Sequence, residues 1–517
     1  MNRREFLKIA GVTTAVSGVA LASSPKPSFA LELGQQHDEY PYEVTKDYKG
    51  FSQSNTMFMR IFSDNENYND EYIDNTFDHY TPRETGVSFI ATSFGFNTAK
   101  GHDPEREGFR AVDMALNAGA VAVDKNFGGM SKYGIRNALL QTHPVNPKTG
   151  EKMKEQPVMV PGLFSWDNSK VDKKLKSGEG PHRFKDTKDA QLHVKKAAKF
   201  LGADLVGIAP YNERTKRWTY SEWSSMNVKP FDLPDGSKEY NPFNLQAFKN
   251  GKNEVYGITS VKSDFIREAG FEPKSIIVLA FEQDYDAFKT APSHISSATV
   301  SKEYSRMAEA SYKLAEFLRH LGYNAAPCGN DTAISVPLAI EAGLGEGSRM
   351  GMLVTEKFGP RVRLAKVYTD LEIESDKPST FGVKAFCDVC MKCADACPGK
   401  AISKEKCKVL VAGEEMDTGV VGKSNITGVE KWFVNGTRCF SYWNYIGFGC
   451  GTCISVCPYN KIDEWHHDLA KLMTLTPFKP LLRDLDELFG YGGPVEPEER
   501  LESKYLKDAV YDFWANI

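Results

Sequence analysis

The chain has 517 residues and a formal net charge of −4, from 64 Lys and Arg against 68 Asp and Glu. Its 41% hydrophobic content is that of a folded protein, and the chain is too long for one compact core. No basic stripe is present, which disfavours nucleic acid as a partner.

The first 30 residues predict export. Residues 2–8, Asn-Arg-Arg-Glu-Phe-Leu-Lys, have the twin arginines of a Tat signal, and an uncharged stretch follows from Ile9 to Pro25. Ser28-Phe29-Ala30 fits a small-x-small cleavage site, so we place the cut after Ala30. A retained membrane anchor is the alternative, but the stretch is shorter than the ~20 strongly apolar residues that a span needs. Removing four basic residues and one acidic residue leaves the mature chain at about −7.

The next two regions differ in pattern. Residues 31–185 are rich in Gly, Pro, Asn and aromatics, and 142–185 are expected to form long loops. Residues 186–380 alternate between helical and strand patterns, which predicts an α+β fold of the α/β sandwich type around a mixed sheet. The predicted elements are helix Asp189–Leu201, strands Leu205–Ala209 and Ser275–Phe281, helix Ser301–Leu321 (ended by Gly322), and strands Leu353-Val354 and Val362–Tyr368.

The region 381–465 is dominated by cysteines, and 466–517 is expected to be a helical extension. Cys387, Cys390, Cys393 and Cys397-Pro398 have the C-x2-C-x2-C-x3-C-P spacing of a bacterial two-cluster ferredoxin. A partial second copy consists of Cys450, Cys453 and Cys457-Pro458, with Cys439 upstream. This repeated pattern predicts two [4Fe–4S] clusters and a role in electron transfer.

In such a motif the last cysteine of each run serves the neighbouring cluster. The expected ligands are therefore Cys387, Cys390, Cys393 and Cys457 for cluster 1, and Cys397, Cys439, Cys450 and Cys453 for cluster 2. Zinc is the alternative metal, since C-x2-C pairs also suit a tetrahedral zinc site. Cys407 is an alternative to Cys439 as a ligand, Cys328 is expected to be a buried small residue, and a disulfide network is not expected.

A simple electron carrier would not need about 350 residues before its clusters, so the larger region is expected to hold a second cofactor or a substrate. No G-x-G-x-x-G follows a strand, which leaves a dinucleotide site unsupported. No Asp-x-His-x-x-Gly run is present either, the pattern with which some corrinoid proteins supply a lower cobalt ligand.

The stretch from Ser297 to Arg363 resembles the corrinoid-binding core of the respiratory reductive dehalogenases, and the tetrachloroethene branch in particular. The resemblance extends over essentially the whole chain, including the Tat signal and the block from Cys439 to Pro458. The resembling segments include Ser-Ser-Ala-Thr-Val-x-Lys-x-Tyr-Ser-x-Met-Ala-Glu (297–309), 321–332 with Gly-Asn-Asp-Thr, 335–346, Lys-x-Gly-Pro-Arg-x-Arg-x-Ala-Lys-Val-Tyr-Thr-Asp-Leu (357–371), 157–163, 166–168 and 201–210.

The resemblance implies a nitroreductase-like core that binds a cobamide base-off, with no protein ligand to cobalt, beside a ferredoxin-like module. It implies the reaction R–Cl + 2 e⁻ + H⁺ → R–H + Cl⁻ on a small halogenated hydrocarbon, a chloroethene or a chloroalkane. It also implies a terminal reductase of organohalide respiration, held at the outer face of the cytoplasmic membrane by a small integral anchor protein. The electron donor, the lower base of the cobamide, the site that the cobalt attacks and the oligomeric state (a homodimer is one option) stay open.

Three catalytic residues follow from the match to the family motif. Tyr304, in the first turn of the predicted helix, is expected to donate the proton, and Arg363 to stabilise the phenolate that remains. Asn330 is expected to orient Tyr304 or the substrate. Phe94, Phe96 and Trp443 are candidates for the pocket wall, because a small chlorinated molecule offers mainly dispersion contacts. Each of these residues would otherwise be read as a core, strand or turn residue.

Two other functions remain open. An epoxyqueuosine reductase would share the cofactors and the cysteine runs, but it acts on tRNA in the cytoplasm, which the export signal and the charge of about −7 disfavour. A non-catalytic iron–sulfur electron-transfer subunit would need neither a corrinoid nor the Tyr, Asn and Arg set. Cobalt content and turnover of tRNA discriminate among the three.

Overall fold

The computed structural model describes residues 35–57, 101–127, 140–142, 156–159, 181–228, 231–232, 238–239, 255–262, 270–330, 332–460, 482–483, 486 and 491–515. The strands of this part are β1 (Gln35–Gln36), β2 (Leu140–Thr142), β3 (Gln156–Met159), β4 (Leu205–Pro210), β5 (Glu222–Val228), β6 (Phe231–Asp232), β7 (Lys238–Glu239), β8 (Val255–Lys262), β9 (Ser275–Glu282), β10 (Ala325–Cys328), β11 (Glu346–Gly347), β12 (Leu353–Val354), β13 (Val362–Thr369), β14 (Ser379–Thr380), β15 (Lys408–Val409), β16 (Glu415–Met416), β17 (Gly419–Val420) and β18 (Glu430–Lys431).

The α-helices are α1 (Ala111–Ala120), α2 (Ala122–Phe127), α3 (Thr187–Phe200), α4 (Glu213–Lys216), α5 (Tyr285–Lys289), α6 (His294–His320), α7 (Ser335–Glu341), α8 (Val383–Cys390), α9 (Lys392–Asp395), α10 (Gly436–Ile446), α11 (Thr452–Ser455), α12 (Pro497–Glu502) and α13 (Lys504–Ala515). A short 3₁₀ helix spans Gln53–Asn55. Each strand predicted in 186–380 is present, with bounds that differ by at most one residue.

The central sheet has four strands in the order β10-β13-β9-β4, and every described pair in it is antiparallel. The mixed sheet that the sequence predicted is therefore wrong for these strands. Strands β9 and β10 do run parallel to each other, since both are antiparallel to β13. The later strand β13 lies between them, so the two parallel strands are never hydrogen-bonded to each other.

Successive side chains of these strands point to opposite faces, and each face has its own apolar core. One core joins Ile277 and Val367 of the sheet to the buried stripe of α6, including Leu314, and to α3. The other joins Ile276 and Tyr368 to α7 and a buried Trp. The result is a sheet between two layers of helices, in agreement with the predicted sandwich.

Helix α6 is longer at its beginning than the sequence predicted. It starts at His294 instead of residue 301, and Ser293 is its N-cap: the Ser293 side chain accepts from the Ser296 backbone N–H, and Ser296 Oγ accepts from the Ser293 N–H. Tyr304 therefore lies about three turns into the helix and not in its first turn. The extra turns contain Ser, Thr and β-branched residues of low helix propensity, and their burial in the folded protein overrides that preference.

The segment 142–185, predicted as long loops, contains strand β3 at Gln156–Met159, which pairs with β2 and β5 in a second antiparallel sheet of order β2-β3-β5-β8. That prediction was wrong for these four residues and for Thr142, the last residue of β2, because Gln-Pro-Val-Met is too short a pattern to distinguish a strand from a turn. In the described part of the C-terminal extension, the helices are α12 and α13. Among the described residues, no helix combines the length and apolarity that a membrane crossing requires.

Candidate active site

Tyr304 and Arg363 meet at one end of the central sheet. Arg363 lies near the start of β13, opposite Phe281 of β9, and it shares a sheet face with Ala365, the face that α6 covers. Tyr304 is half-buried on α6 and packs against the same core. The two residues are 59 positions apart in the chain, and the sheet and the helix bring them into contact.

Arg363 contacts Tyr304 in two ways. Arg363 Nη2 donates a hydrogen bond to Tyr304 Oη, and the guanidinium carbon is 4.1 Å from the centroid of the Tyr304 ring. A guanidinium that stacks on a phenol ring and also donates to its oxygen has little freedom to move. This arrangement places a positive charge directly beside the phenol oxygen.

Asn330 adds a second donor to the same oxygen. It follows β10 by two residues, and its Nδ2 donates to Tyr304 Oη at 3.1 Å. Its Oδ1 accepts from Ser335 Oγ at 3.1 Å. The structure thus brings together all three residues that the family motif assigned, although it does not test their catalytic roles.

Two further polar residues belong to this network, and neither was singled out from the sequence. Ser335 is the first residue of α7, and Lys366 Nζ donates to its Oγ at 2.9 Å. Lys366 is fully buried in β13. A Lys within the otherwise apolar run Leu364–Val367 was the available signal, because a buried ammonium needs polar partners.

The structure does not place the three aromatic candidates for the pocket wall beside Tyr304. Trp443 is half-buried on α10, with its ring centroid 6.1 Å from that of Phe440, and it packs against the cluster around Phe448. The described contacts do not place it beside Tyr304. Phe94 and Phe96 lie outside the described residues.

The predicted cluster-1 cysteines lie close together. Burial, and then the neighbouring thiols of Cys387, Cys457 and Cys390, raise the pKa of Cys393 well above its usual value. Burial likewise raises the pKa of Cys390 to about 11. The four predicted ligands of cluster 1, Cys387, Cys390, Cys393 and Cys457, all belong to one apolar cluster that also contains Phe386.

The cluster-2 cysteines form a corresponding set. Burial, followed by Cys450, Cys439 and Cys397, raises the pKa of Cys453 well above the usual value. Cys439 in turn has Cys397 and Cys450 as its electrostatic neighbours, after burial. Cys453 is also an electrostatic neighbour of Cys393, and Cys457 of Cys453, so the two sets of thiols adjoin each other. The crossed assignment of ligands to two clusters stays a prediction.

Both sets fit an iron–sulfur cluster by their donor chemistry. A buried thiol resists ionisation, and bound iron supplies the positive charge that makes the thiolate stable. Within the described residues no group of three or more His, Cys, Asp or Glu side chains is arranged to hold a single metal ion.

The two remaining cysteines lie apart from these sets. Burial, and then Glu430, raise the pKa of Cys407 to about 12, and its other electrostatic neighbours are Lys384 and Asp388 rather than cluster cysteines. Cys439, not Cys407, therefore lies with the second set. Cys328 is fully buried, as predicted, and no disulfide joins any of the ten cysteines, all of which lie among the described residues.

Two buried charged residues of the core attach the cysteine-rich module to it. Arg349 donates through Nε to the Cys387 carbonyl at 2.9 Å, and through Nη1 to the carbonyls of Ser403 and Glu405, each at 2.7 Å. The Glu346 carboxylate accepts from the backbone N–H groups at the start of α8, including that of Val383 at 3.2 Å. A carboxylate at a helix N-terminus is electrostatically favourable. The core thus contacts α8 at its start and again at Cys387.

Comparison with known proteins places these sites in a family. The model of a 4Fe-4S double cluster binding domain matches residues 386–460. The tetrachloroethene reductive dehalogenase of Desulfitobacterium hafniense is 42% identical over 554 aligned positions, which cover 100% of this chain and 98% of the relative. The chain belongs to the reductive dehalogenases. Its enzyme class is therefore that of oxidoreductases acting on carbon–halogen bonds.

More distant members agree with this assignment. The tetrachloroethene reductive dehalogenase of Sulfurospirillum multivorans is 36% identical over 305 positions, covering 58% of this chain and 56% of that protein. A solved catabolic reductive dehalogenase has the same fold at 18% identity, with a TM-score of 0.53. The match covers 90% of the present chain and 50% of the solved chain, so the present chain spans about half the length of the solved protein. Full-length membership decides against the epoxyqueuosine reductase and the non-catalytic subunit.

Proposed function

We propose that this reductive dehalogenase replaces chlorine by hydrogen in a small chlorinated hydrocarbon, with Tyr304 as the proton donor. The balanced reaction is R–Cl + 2 e⁻ + H⁺ → R–H + Cl⁻. The substrate class rests on the relatives, which are tetrachloroethene reductive dehalogenases. A chloroethene is therefore favoured, and a chloroalkane is the second candidate.

The geometry at Tyr304 Oη supports the proton transfer. The oxygen accepts hydrogen bonds from Asn330 Nδ2 and from Arg363 Nη2, which occupy its two acceptor positions. Its own hydrogen is then directed away from both partners, where a substrate carbon can receive it. When the proton leaves, the same two donors stabilise the phenolate, and Arg363 contributes a full positive charge.

The protein's electrons are proposed to pass through two [4Fe–4S] clusters, held by Cys387, Cys390, Cys393 and Cys457 and by Cys397, Cys439, Cys450 and Cys453. An external low-potential donor would supply the electrons. A base-off cobamide would supply strongly reducing cobalt chemistry for cleavage of the carbon–halogen bond.

The residues near Tyr304 fit an amide-fringed ring such as a corrinoid. Arg363 Nε and Thr332 Oγ1 are buried and have no hydrogen-bond partner among the described residues. Thr332 follows Asn330, which contacts Tyr304, by two residues in the chain. The peripheral amides of a corrinoid offer both donors and acceptors for such atoms.

The domain organisation is proposed to follow the sequence pattern. A cleaved Tat signal (1–30) precedes a loop-rich unit (31–185), a nitroreductase-like corrinoid-binding core (186–380), a ferredoxin-like module (381–465) and a C-terminal helical extension (466–517). The chain would be exported folded and held peripherally at the outer face of the cytoplasmic membrane by a small integral protein. Support comes from the twin arginines at positions 3 and 4 and the cleavage site at Ala30.

The role of Tyr304 is tested by Tyr304→Phe, which removes only the phenol oxygen. We expect turnover to fall by about 10²- to 10⁴-fold, the usual range for a lost general acid. Iron should stay at about eight per chain and cobalt at about one. Tyr323→Phe is the matched control, because Tyr323 packs against the same core and its hydroxyl donates to the His182 carbonyl at 2.6 Å. Turnover by Tyr304→Phe within about threefold of the parent would remove Tyr304 as the donor.

A further inference from the structure

Lys366 lies on the face of the central sheet opposite to Tyr304. It shares that face with Leu364 and Tyr368, whereas Tyr304 and Arg363 lie on the α6 side. Lys366 is fully buried, and its Nζ donates to Ser335 Oγ at 2.9 Å and to the Ala333 carbonyl at 3.4 Å. Its charge is thus directed towards the loop that leaves β10.

That loop links the two faces. Strand β10 is at the edge of the sheet, Asn330 follows it by two residues, and α7 begins at Ser335. Ser335 Oγ donates to Asn330 Oδ1 at 3.1 Å, and Asn330 Nδ2 donates to Tyr304 Oη at 3.1 Å. A continuous hydrogen-bonded chain therefore connects Lys366 to the phenol oxygen.

The direction of donation in this chain is fixed by its first member. An ammonium can only donate, so Ser335 Oγ must accept from Lys366, which leaves the Ser335 hydroxyl hydrogen free to donate onwards. It meets Asn330, whose oxygen must then face Ser335 and whose NH₂ group must face Tyr304. Bonds that point the same way along a chain strengthen one another.

We propose that Lys366 and Ser335 are positioning residues that fix the amide orientation of Asn330, so that Tyr304 Oη receives a donor and keeps its own proton for the substrate. This inference rests on the proposed role of Tyr304. The opposite orientation would present Asn330 Oδ1 to the phenol. Tyr304 would then donate its proton to the amide instead of directing it to the substrate.

A double-mutant cycle tests whether Ser335 acts through Asn330. Ser335→Ala is expected to lower kcat roughly 5- to 10-fold, the effect of one hydrogen bond, with KM changed less than about twofold. In an Asn330→Ala background the same substitution is expected to cost less than about 1.5-fold, since its target is gone. Ser335→Thr retains the hydroxyl and should restore most of kcat. Equal losses in the two backgrounds, or no rescue by Thr, would overturn the proposal.

Ser311→Ala is the matched control for the loss of a serine hydroxyl. Ser311 is buried on α6, and its Oγ donates to the Met307 carbonyl at 2.6 Å within the same helix. Its kcat should stay within about twofold of the parent, because the hydrogen bond that it loses lies outside the chain to Tyr304.

Substitution of Lys366 tests directly whether its ammonium group sets the direction of hydrogen-bond donation from Ser335 to Asn330 and Tyr304. Lys366→Gln offers Ser335 an acceptor as well as a donor, so the amide of Asn330 is free to turn, and kcat should fall at least as much as in Ser335→Ala. Iron and cobalt per chain are measured alongside to confirm an intact fold. Parental kcat for Lys366→Gln with full cofactor content would overturn the role of Lys366. Failure of the proposed function has a different signature, which is parental turnover by Tyr304→Phe.

Discussion

Arg363→Lys tests whether the positive charge alone, or its geometry, assists Tyr304. Lysine preserves the charge, but a single ammonium cannot both lie over the ring at the 4.1 Å of the guanidinium and donate to Oη. A hydrogen bond to a charged group contributes about 1.5–3 kcal/mol and a cation–π contact about 0.5–1 kcal/mol. Loss of most of this stabilisation of the phenolate predicts a decrease in kcat of roughly 100-fold.

The assay is chloride release under anaerobic conditions with a chemical low-potential reductant, normalised to cobalt. Arg306→Lys is the control, because Arg306 lies on the same helix as Tyr304, stacks over Phe281 at 5.6 Å and pairs with Asp204 at 3.1 Å. It should retain kcat within about threefold, since it has no described contact with the phenol. The geometric argument is refuted if Arg363→Lys is as active as Arg306→Lys.

The remaining predictions concern stability and cluster content. Burial, and then His102, lower the pKa of His294 from 6.5 to about 3, so the neutral ring is favoured in the folded state. The contribution of the neutral His294 ring to the free energy of unfolding is complete above pH 6.5 and is lost as the pH falls towards 3. Between pH 7.5 and 5.5 the free energy of unfolding decreases by about 1.4 kcal/mol from this cause. The thermal midpoint of His294→Gln should therefore fall less between pH 7.5 and 5.5 than that of the parent. Equal decreases in the two proteins would contradict the role of His294 in this pH dependence. Cys393→Ala should hold about seven iron atoms or fewer, because three thiolates hold at most three irons, whereas Cys407→Ala should keep about eight; equal iron in both variants would contradict the ligand sets.

The strands of the central sheet and the iron–sulfur region at 386–460 were predictable from the sequence, and the reasons are local. Residues 276–281, Ile-Ile-Val-Leu-Ala-Phe, form a continuous apolar run, a pattern that specifies a buried strand without information from elsewhere. The fixed spacing of the cysteine runs indicates an iron–sulfur region, and the matching family model covers the same residues. Such signals need no knowledge of the rest of the chain.

The start of α6 and the position of β13 depended on distant residues and were not predictable in this way. Ser293 caps the helix with a Ser at the third position, where the usual Glu or Gln would have indicated a capping box. Strand order is decided by packing that no single strand encodes. For the same reason the approach of Arg363 to Tyr304 came from the family motif, and Lys366 was recognised only once the sheet was known.

The placement of β13 between β9 and β10 has a consequence for biosynthesis. Neither strand has its full set of neighbours until Thr369 has been synthesised, although β9 begins at Ser275. A ribosome that adds about 5–20 residues per second needs roughly 5–20 s for this interval. Until it ends, the nascent chain presents unpaired apolar strand edges, and we expect chaperones to bind it most strongly in that window.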